Sequence, residues 1–252
     1  MNSTQRFSNR VEDYHKHRPG YPEQIIDILK QERALLPDAI IADIGSGTGK
    51  LAEIFFNRAH TVYGVEPNDA MRRQAEKDFS DVQNFVSITG SAESTTLPPA
   101  SIDLITAGQA FHWFDREKSF LEFKRILKPN GRVALVWNYR DIDADDLQRD
   151  YEAILANNIK DYKKLDHKTI TDEKIADFFH KTDVKKYQLR NQQHFDLASL
   201  KGRALSSSYV PKPPDPTAER ILSHIETLFE KYQQNGLVQF IYKTTLYLGQ
   251  FN

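Results

Sequence analysis

The sequence contains no cysteine among its 252 residues, and it has only two methionines and two tryptophans. The absence of cysteine excludes a disulfide framework, a thiolate nucleophile and a cysteine-ligated metal. No stretch approaches the roughly 20 apolar residues that a transmembrane helix needs. The first ten residues lack the apolar core of a signal peptide. We therefore expect a cytoplasmic protein without a membrane partner.

Neither sign of charge is in excess, since 34 Lys and Arg stand against 35 Asp and Glu, a formal net charge of −1. Proteins that bind nucleic acid usually show a basic excess, so no nucleic-acid partner is expected. The length suits one large α/β domain, or one domain with a cap. His15 and His17 have no obvious third ligand, and we predict no metal site.

The stretch Ile40–Lys50 joins a short apolar run to three alternating glycines. The apolar run predicts a strand that is buried on both faces. Gly45, Gly47 and Gly49 then predict a loop, because glycine accepts positive φ and lets a ligand approach the backbone. Residues 51–55 carry apolar side chains at helical spacing, which predicts that the loop leads into a helix whose N-terminus faces the ligand.

The spacing of these glycines separates two classes of ligand. The dinucleotide fingerprint Gly-x-Gly-x-x-Gly would need glycine at position 50, which is Lys50. The pattern present, Asp43-x-Gly45-x-Gly47-x-Gly49, resembles instead the first motif of the class I S-adenosylmethionine-dependent methyltransferases. The resemblance implies S-adenosyl-L-methionine as the cofactor, with its methionine part at this loop. The implied contacts in the loop are Asp43, Gly45, Ser46, Gly47 and Gly49.

Glu66 ends the second predicted strand, 23 residues beyond Asp43. In Rossmann-like folds an acid about 20 residues after the glycine loop hydrogen-bonds a ribose, and a carboxylate can accept from two vicinal hydroxyls. The resemblance implies the ribose of S-adenosylmethionine; an ordinary surface acid is the alternative. Related enzymes often place an Asp after the third strand to contact adenine, and here that position is Ser91. The other implied cofactor contacts are Pro67, Met71, Ser91, Ala92, Glu93 and Gln109.

Strands alternate with helices along the sequence. After the glycine-loop strand, the predicted strands cover residues 60–66, 85–89, 102–107, 132–138, 184–195 and 237–248. This order predicts an α/β, Rossmann-like, mostly parallel seven-stranded sheet with helices on both faces. The last strand follows an Asn-Gly turn and is expected to be antiparallel, as in class I methyltransferases. We predict a single domain over 1–252, with a lid segment at about 1–21 and a small helical cap inserted at about 139–183.

Two further stretches narrow the resemblance. The turn Arg18–Pro22 and the run Gln109–Phe114 look like those of the small-molecule methyltransferases related to trans-aconitate methyltransferase. Such a relationship implies methyl transfer to a small-molecule acceptor. A carboxylate oxygen would need no general base, whereas a hydroxyl or a carbon acid usually would. His112 is the candidate base, and a structural histidine packed between aromatic residues is the alternative.

The segment before the first helix is too polar for a core, yet it carries aromatic and cationic residues. We predict that it forms a lid, with Tyr14 and Arg18 facing the site, and that Trp113 lines the substrate side; a frayed terminus is the alternative. Two other functions stay open at this point. One is a cofactor-binding or interaction protein without catalysis. The other is an NAD-dependent dehydrogenase, against which Lys50 and the missing second nucleotide-binding half argue.

Overall fold

The structure is a computed structural model that describes residues 16–160, 162, 170–180 and 183–251. Within these ranges, seven strands form one sheet in the order β3-β2-β1-β4-β5-β7-β6. The strands are β1 Ile40–Ile44, β2 Thr61–Val65, β3 Phe85–Ile88, β4 Ile102–Gly108, β5 Leu127–Arg140, β6 Lys185–Phe195 and β7 Val238–Gly249. β1 to β5 pair in parallel, whereas β7 is antiparallel to both of its neighbours. The predicted fold class is confirmed.

The α-helices of the described chain begin mostly at polar residues that cap them. The helices are α1 Gln24–Gln31, α2 Asp69–Asp78, α3 Arg116–Ile126, α4 Asp146–Asn158, α5 Asp172–Phe178, α6 Leu197–Leu205 and α7 Pro216–Tyr232. The residue before each of α2 to α7 accepts a hydrogen bond from a backbone N–H of the first turn. Because those N–H groups have no partner inside the helix, such a cap fixes where the helix begins.

Alternate side chains of β5 enter two different cores. Val133 and Trp137 pack on one face with α3 and α5, while Ala134 and Val136 pack on the other face with α1. A period of two is expected for a strand that is covered on both sides. The central strands are therefore covered by helices on both faces, as the sequence predicts.

The helix after the glycine loop is shorter than expected. Only a four-residue 3-10 helix forms there, at Ala52–Phe55. The apolar spacing has another cause, since Leu51, Ile54 and Phe55 are buried in the core that contains α1. A single 3-10 turn aligns few peptide dipoles. The loop can therefore meet a ligand through its shape and its N–H groups, and not through the end of a long helix.

The strand β5 begins five residues before the predicted residue 132. Its pairing with β4 is irregular: Leu127 lies opposite Ile102, and Arg132 already lies opposite Leu104. The intervening residues include Asn130 at φ +67°. Residues 128–131, which precede the predicted strand, are thus an irregularity inside the observed strand, where extra residues leave the ladder.

A third core joins α4, α6 and α7, which we call the helical layer. The first half of β7 belongs to it through Val238, Phe240 and Tyr242, whereas Leu246 and Leu248 belong to the main sheet. Tyr242 pairs with Arg140, the last residue of β5. The helical layer therefore lies beyond the carboxyl end of β5, at the edge where open α/β sheets bind ligands.

The segment predicted as a cap, 139–183, contributes helices to two different hydrophobic cores. Its helix α4 belongs to the helical layer, and α5 packs through Ile175 and Phe178 on the main sheet with α3. The helical layer also contains α6 and α7, which come from outside that segment. No helix in the described ranges is long and apolar enough to cross a membrane.

Candidate active site

A cavity of about 280 Å³ lies beyond the carboxyl ends of β1 to β4. Its wall consists of Gly45, Gly47, Glu66, Pro67, Asn68, Met71, Ser91, Ala92, Glu93, Gly108, Gln109, Ala110, Trp113 and Phe114. These residues follow neighbouring parallel strands. Ligands of this fold bind at such a crevice, and small-molecule sites of this kind are largely apolar with a few fixed polar groups.

Nine of the twelve predicted cofactor contacts line this cavity: Gly45, Gly47, Glu66, Pro67, Met71, Ser91, Ala92, Glu93 and Gln109. Asp43, Ser46 and Gly49 do not line it. The sequence analysis missed four lining residues, namely Asn68, Gly108, Ala110 and Phe114. Ala110 and Phe114 lie in the run after β4 that the sequence had singled out. Asn68 could have been found as a helix cap two residues after Glu66.

The three loop glycines serve different purposes. Gly45 has φ +67°, and a Cβ there would lie 2.7 Å from the Cβ of Ala110. Gly49 has φ +81°, and a Cβ there would overlap the ring of Phe79. Gly47 has φ +58°, and a Cβ there would meet no atom within 4 Å. Gly45 and Gly49 thus permit close packing, whereas Gly47 leaves open space on the cavity side of the loop for a ligand.

Glu66 stands at the end of β2 and is only 8% exposed. Its Oε2 accepts a hydrogen bond from Gly47 N at 2.9 Å, and its Oε1 accepts one from Asn68 N at 2.8 Å. Burial raises the pKa of Glu66, and these two hydrogen bonds oppose the rise. A carboxylate has about four acceptor positions, so Glu66 can hold the loop and still accept from the hydroxyls of a ligand.

Asp43 lies beneath the loop and is 1% exposed. Its Oδ1 accepts a hydrogen bond from Thr106 Oγ1 at 2.8 Å. Burial, together with repulsion from Glu66, raises the pKa of Asp43 to about 7 despite that hydrogen bond. The structure therefore places Asp43 behind the glycine loop, where it ties β1 to β4, and not in the cavity wall.

The opposite wall begins at Gln109, which has φ +56°. Its Nε2 donates to the carbonyl oxygen of Asn138 at 2.7 Å, so β5 fixes the side chain. Trp113 is 40% exposed at the cavity mouth. His112 does not line the cavity, and its ring centroid lies 4.8 Å from that of Trp113. The structure thus places the predicted base beside the cavity wall.

Glu93 and Ser91 form the wall that follows β3. Ser91 and Ser94 exchange backbone hydrogen bonds of 3.0 and 3.2 Å, which close a tight turn. One carboxylate oxygen of Glu93, Oε1, accepts from Asp115 N at 2.9 Å. The turn therefore links the loop after β3 to the start of α3.

The predicted lid is described only from residue 16, so Tyr14 lies outside the described residues. Arg18 does not line the cavity; its Nη2 donates to the carbonyl oxygen of Ser206 at 3.3 Å. The ring of His17 packs directly against Gly202 of α6. This part of the segment is therefore attached to the helical layer.

The following residues of the segment reach the cavity wall. The carbonyl oxygen of Gly20 accepts from Asn138 Nδ2 at 3.0 Å and from Asn191 Nδ2 at 2.8 Å. A Cβ at Gly108 would lie 2.5 Å from the hydroxyl oxygen of Tyr21. Residues 17–21 thus bridge the helical layer and the β4 side of the cavity. Across the described ranges, no cluster of three His, Asp or Glu side chains could hold a metal ion.

Comparison with known proteins agrees with this geometry. Residues 42–135 match the family model described as a methyltransferase domain. An uncharacterized methyltransferase of Schizosaccharomyces pombe is 38% identical over 136 residues, which are 54% of this chain and 53% of the relative. One from Mycobacterium tuberculosis is 36% identical over 137 residues, again 54% and 53%. The chain thus spans about half the length of the curated relatives it matches.

Solved structures share the fold over most of the chain. A protein described as a type II methyltransferase from Anaeromyxobacter dehalogenans has a TM-score of 0.66 at 20% identity, covering 92% of this chain and 97% of its own. Phosphoethanolamine N-methyltransferase 2 of Haemonchus contortus has a TM-score of 0.56 at 15% identity, covering 97% of this chain and 57% of its own. Residues 42–135 are thus similar to a methyltransferase domain, and the seven-stranded sheet shares the fold of these solved structures.

The open face of Gly47 gives a direct prediction. Gly47→Ala should weaken the binding of S-adenosylhomocysteine at least tenfold, because the new methyl group would occupy space toward the cavity. Gly236→Ala is the matched control, since Gly236 also has positive φ, at +78°, with nothing within 4 Å of a Cβ. Both changes should cost roughly 1–2 kcal/mol of backbone strain. Equal affinity losses in calorimetry would contradict a ligand at Gly47.

The buried Asp43 gives a prediction about pH. An acid whose pKa rises from 3.8 to about 7 on folding favours the folded state in its neutral form, so that contribution is lost as pH rises from 4 to 8. Asp43→Asn removes this dependence. The free energy of unfolding of the variant, minus that of the native protein, should therefore rise by about 4 kcal/mol over that window. A difference that stays constant with pH in urea titrations would show that Asp43 keeps an ordinary pKa.

Proposed function

We propose that the protein transfers the methyl group of S-adenosylmethionine to a small-molecule acceptor, and that the acceptor atom is a carboxylate oxygen. The observation that carries the first part is the pairing of Gly47 and Glu66. An open glycine backbone and a carboxylate bonded to it share one cavity wall. The first suits the methionine part of the cofactor and the second suits its ribose.

The rest of the cavity fits the remaining part of the cofactor. Met71, Pro67 and Ala92 offer an apolar wall for a flat base, next to the polar turn of Ser91 and Glu93. The volume of about 280 Å³ is at the small end of ligand sites. These features support binding of the cofactor. They also leave the Gly108–Phe114 side of the cavity for an acceptor.

When bound, the cofactor supplies an electrophilic sulfonium methyl group. The work left to the protein is to hold the acceptor in line, close to that methyl group, and to exclude water. Trp113 and Phe114 provide aromatic surface for this purpose on the acceptor side of the cavity. A carboxylate acceptor fits the position of His112 beside the wall, because such an acceptor needs no general base.

The proposed relationship to the trans-aconitate methyltransferase group depends on the stretches 18–22 and 109–114. Two contacts support treating them as one functional unit. Tyr21 packs against Gly108, next to the second stretch, and Asn138 contacts both Gly20 and Gln109. The expectations of a cytoplasmic location, a lid that closes on the cofactor and the absence of macromolecular partners remain predictions.

A methyl-transfer screen tests the proposed activity. Native protein with methyl-labelled S-adenosylmethionine is offered small mono- and dicarboxylic acids, phenols and amines. We expect label only in acids, recovered as volatile methanol after alkaline hydrolysis of a methyl ester. Transfer confined to phenols or amines would contradict the carboxylate acceptor. Tight cofactor binding without transfer to any class would favour the non-catalytic alternative.

His112→Asn tests whether a base takes part. With a carboxylate acceptor, kcat of the variant should stay within about threefold of native, because no proton must be removed. General base catalysis typically contributes about 10²–10⁴ in rate. A loss of that size, with unchanged affinity for S-adenosylhomocysteine, would make His112 the base and would exclude the carboxylate acceptor.

A further inference from the structure

Arg203 of α6 is only 9% exposed, and no carboxylate pairs with it among the residues that the structure describes. Its Nη1 lies 3.3 Å from Ser207 Oγ and 3.5 Å from Ser206 Oγ, and its guanidinium group is also within reach of the Tyr242 hydroxyl. Its Nε has no hydrogen-bond partner in the described ranges. Arginine stays charged in proteins. A buried charge without a partner is costly, so a site that keeps one calls for an explanation.

Two tyrosines near Arg203 also have buried polar atoms. The hydroxyls of Tyr151 and Tyr242 are buried and have no hydrogen-bond partner among the described residues. Both hydroxyls are close enough to interact electrostatically with the guanidinium group. One cation and two hydroxyl groups thus lie near one another, and the guanidinium Nε and the Tyr151 hydroxyl keep unused hydrogen-bonding capacity among the described residues. A compact anion would satisfy all three.

The neighbouring arginine behaves differently and serves as an internal comparison. Arg140 pairs with Glu152 and stacks over the ring of Tyr151, with its Cζ at 4.6 Å from the ring centroid. Its charge is therefore neutralised within the protein. Arg203 differs from Arg140 in having no carboxylate partner in the described ranges.

Contacts through β5 connect this group to the cavity wall. Tyr242 pairs with Arg140, two residues beyond Asn138, and the carbonyl oxygen of Asn138 holds the side chain of Gln109 in the cavity wall. Two residues of a strand span about 7 Å. From the other direction, Ser206 binds both Arg18 and Arg203, and residues 18–21 lead to Gly108 in the wall.

We infer that Arg203, Tyr151 and Tyr242 form a subsite that binds an oxyanion group of the methyl acceptor. A guanidinium fork matches a carboxylate or a phosphate through two parallel hydrogen bonds, and the tyrosine hydroxyls can donate to the same oxygens. The inference rests on the proposed function, because it concerns the acceptor of that reaction. If the methylated atom is a carboxylate oxygen, the acceptor carries a second acidic group, which this subsite holds while the first one reacts.

Calorimetry on the full chain saturated with S-adenosylhomocysteine tests the subsite. The probes are succinate and inorganic phosphate, with succinamide as the uncharged control. We expect succinate or phosphate to bind and succinamide not to bind, and the better of the two anions identifies the group that the subsite takes. Arg203→Met should weaken that binding at least tenfold, and Arg203→Lys should restore part of it.

Lys201→Met is the matched control, since Lys201 lies on the same helix but pairs with Glu226 at the surface. It should leave anion binding unchanged. Tyr242→Phe covers the case in which the Arg203 variants do not fold. It removes a buried hydroxyl beside the Arg203 guanidinium, so the variant should stay folded, whereas anion affinity should fall about three- to tenfold.

Three results would overturn the inference. They are the absence of binding of both anions to native protein, an equal loss of affinity in Lys201→Met, and unchanged anion affinity in folded Arg203→Met or Tyr242→Phe. Failure of the proposed function has a different signature. Anions would still bind in an Arg203-dependent manner, but S-adenosylhomocysteine would not bind, or no acid would be methylated.

Discussion

The hydrogen bond from Gly47 N–H to the carboxylate of Glu66 joins the two halves of the candidate site. It links the loop after β1 to the end of β2, which neighbour each other in the sheet. The other carboxylate oxygen accepts from Asn68 N, next to the start of α2, so one side chain orders three segments. Because Glu66 is nearly buried, each of these hydrogen bonds is formed in a medium where electrostatic interactions are strong. Glu66 thereby fixes the glycine loop relative to the start of α2, on the wall of the cavity.

A second acid lies directly beneath this site. Asp43 and Glu66 repel each other, and burial penalises the charge of both. The hydroxyl of Thr106 and the N–H groups of Gly47 and Asn68 offset part of this penalty. Such a concentration of raised pKa values is typical of functional sites, where stability is given up for a preorganised arrangement. Asp43 joins β1 to β4 through Thr106, and Glu66 lines the cavity.

The helical layer adjoins the main sheet at the carboxyl end of β5. β7 runs from that layer into the main sheet, and its residue Tyr242 stands where the two meet. Residues 17–21 contact both parts of this region. Their partners are Gly202, Ser206, Asn138 and Asn191. The cavity is therefore lined by residues at the ends of the parallel strands. The region beyond the end of β5 is built from elements that come from opposite ends of the sequence.

The sequence alone determined the features that depend on near neighbours in the chain. The apolar run at Ile40–Ile44 indicated a strand buried on both faces, and the glycine spacing with Glu66 indicated the class of cofactor. The tertiary structure decided which residues face the cavity. Gly45 and Gly49 could be assigned to packing only once Ala110 and Phe79 were seen to lie against them, and Asp43 only once Thr106 was seen beside it.

Arg203 shows most clearly that the local sequence does not reveal which side chains become buried. Nothing in its local sequence separates it from a surface arginine of an amphipathic helix. It is buried beside Ser206, whose carbonyl oxygen accepts from Arg18, a contact between residues 188 positions apart. Whether a polar group is buried depends on distant segments that pack around it in the folded structure. The periodicity within one segment gives no information about that packing.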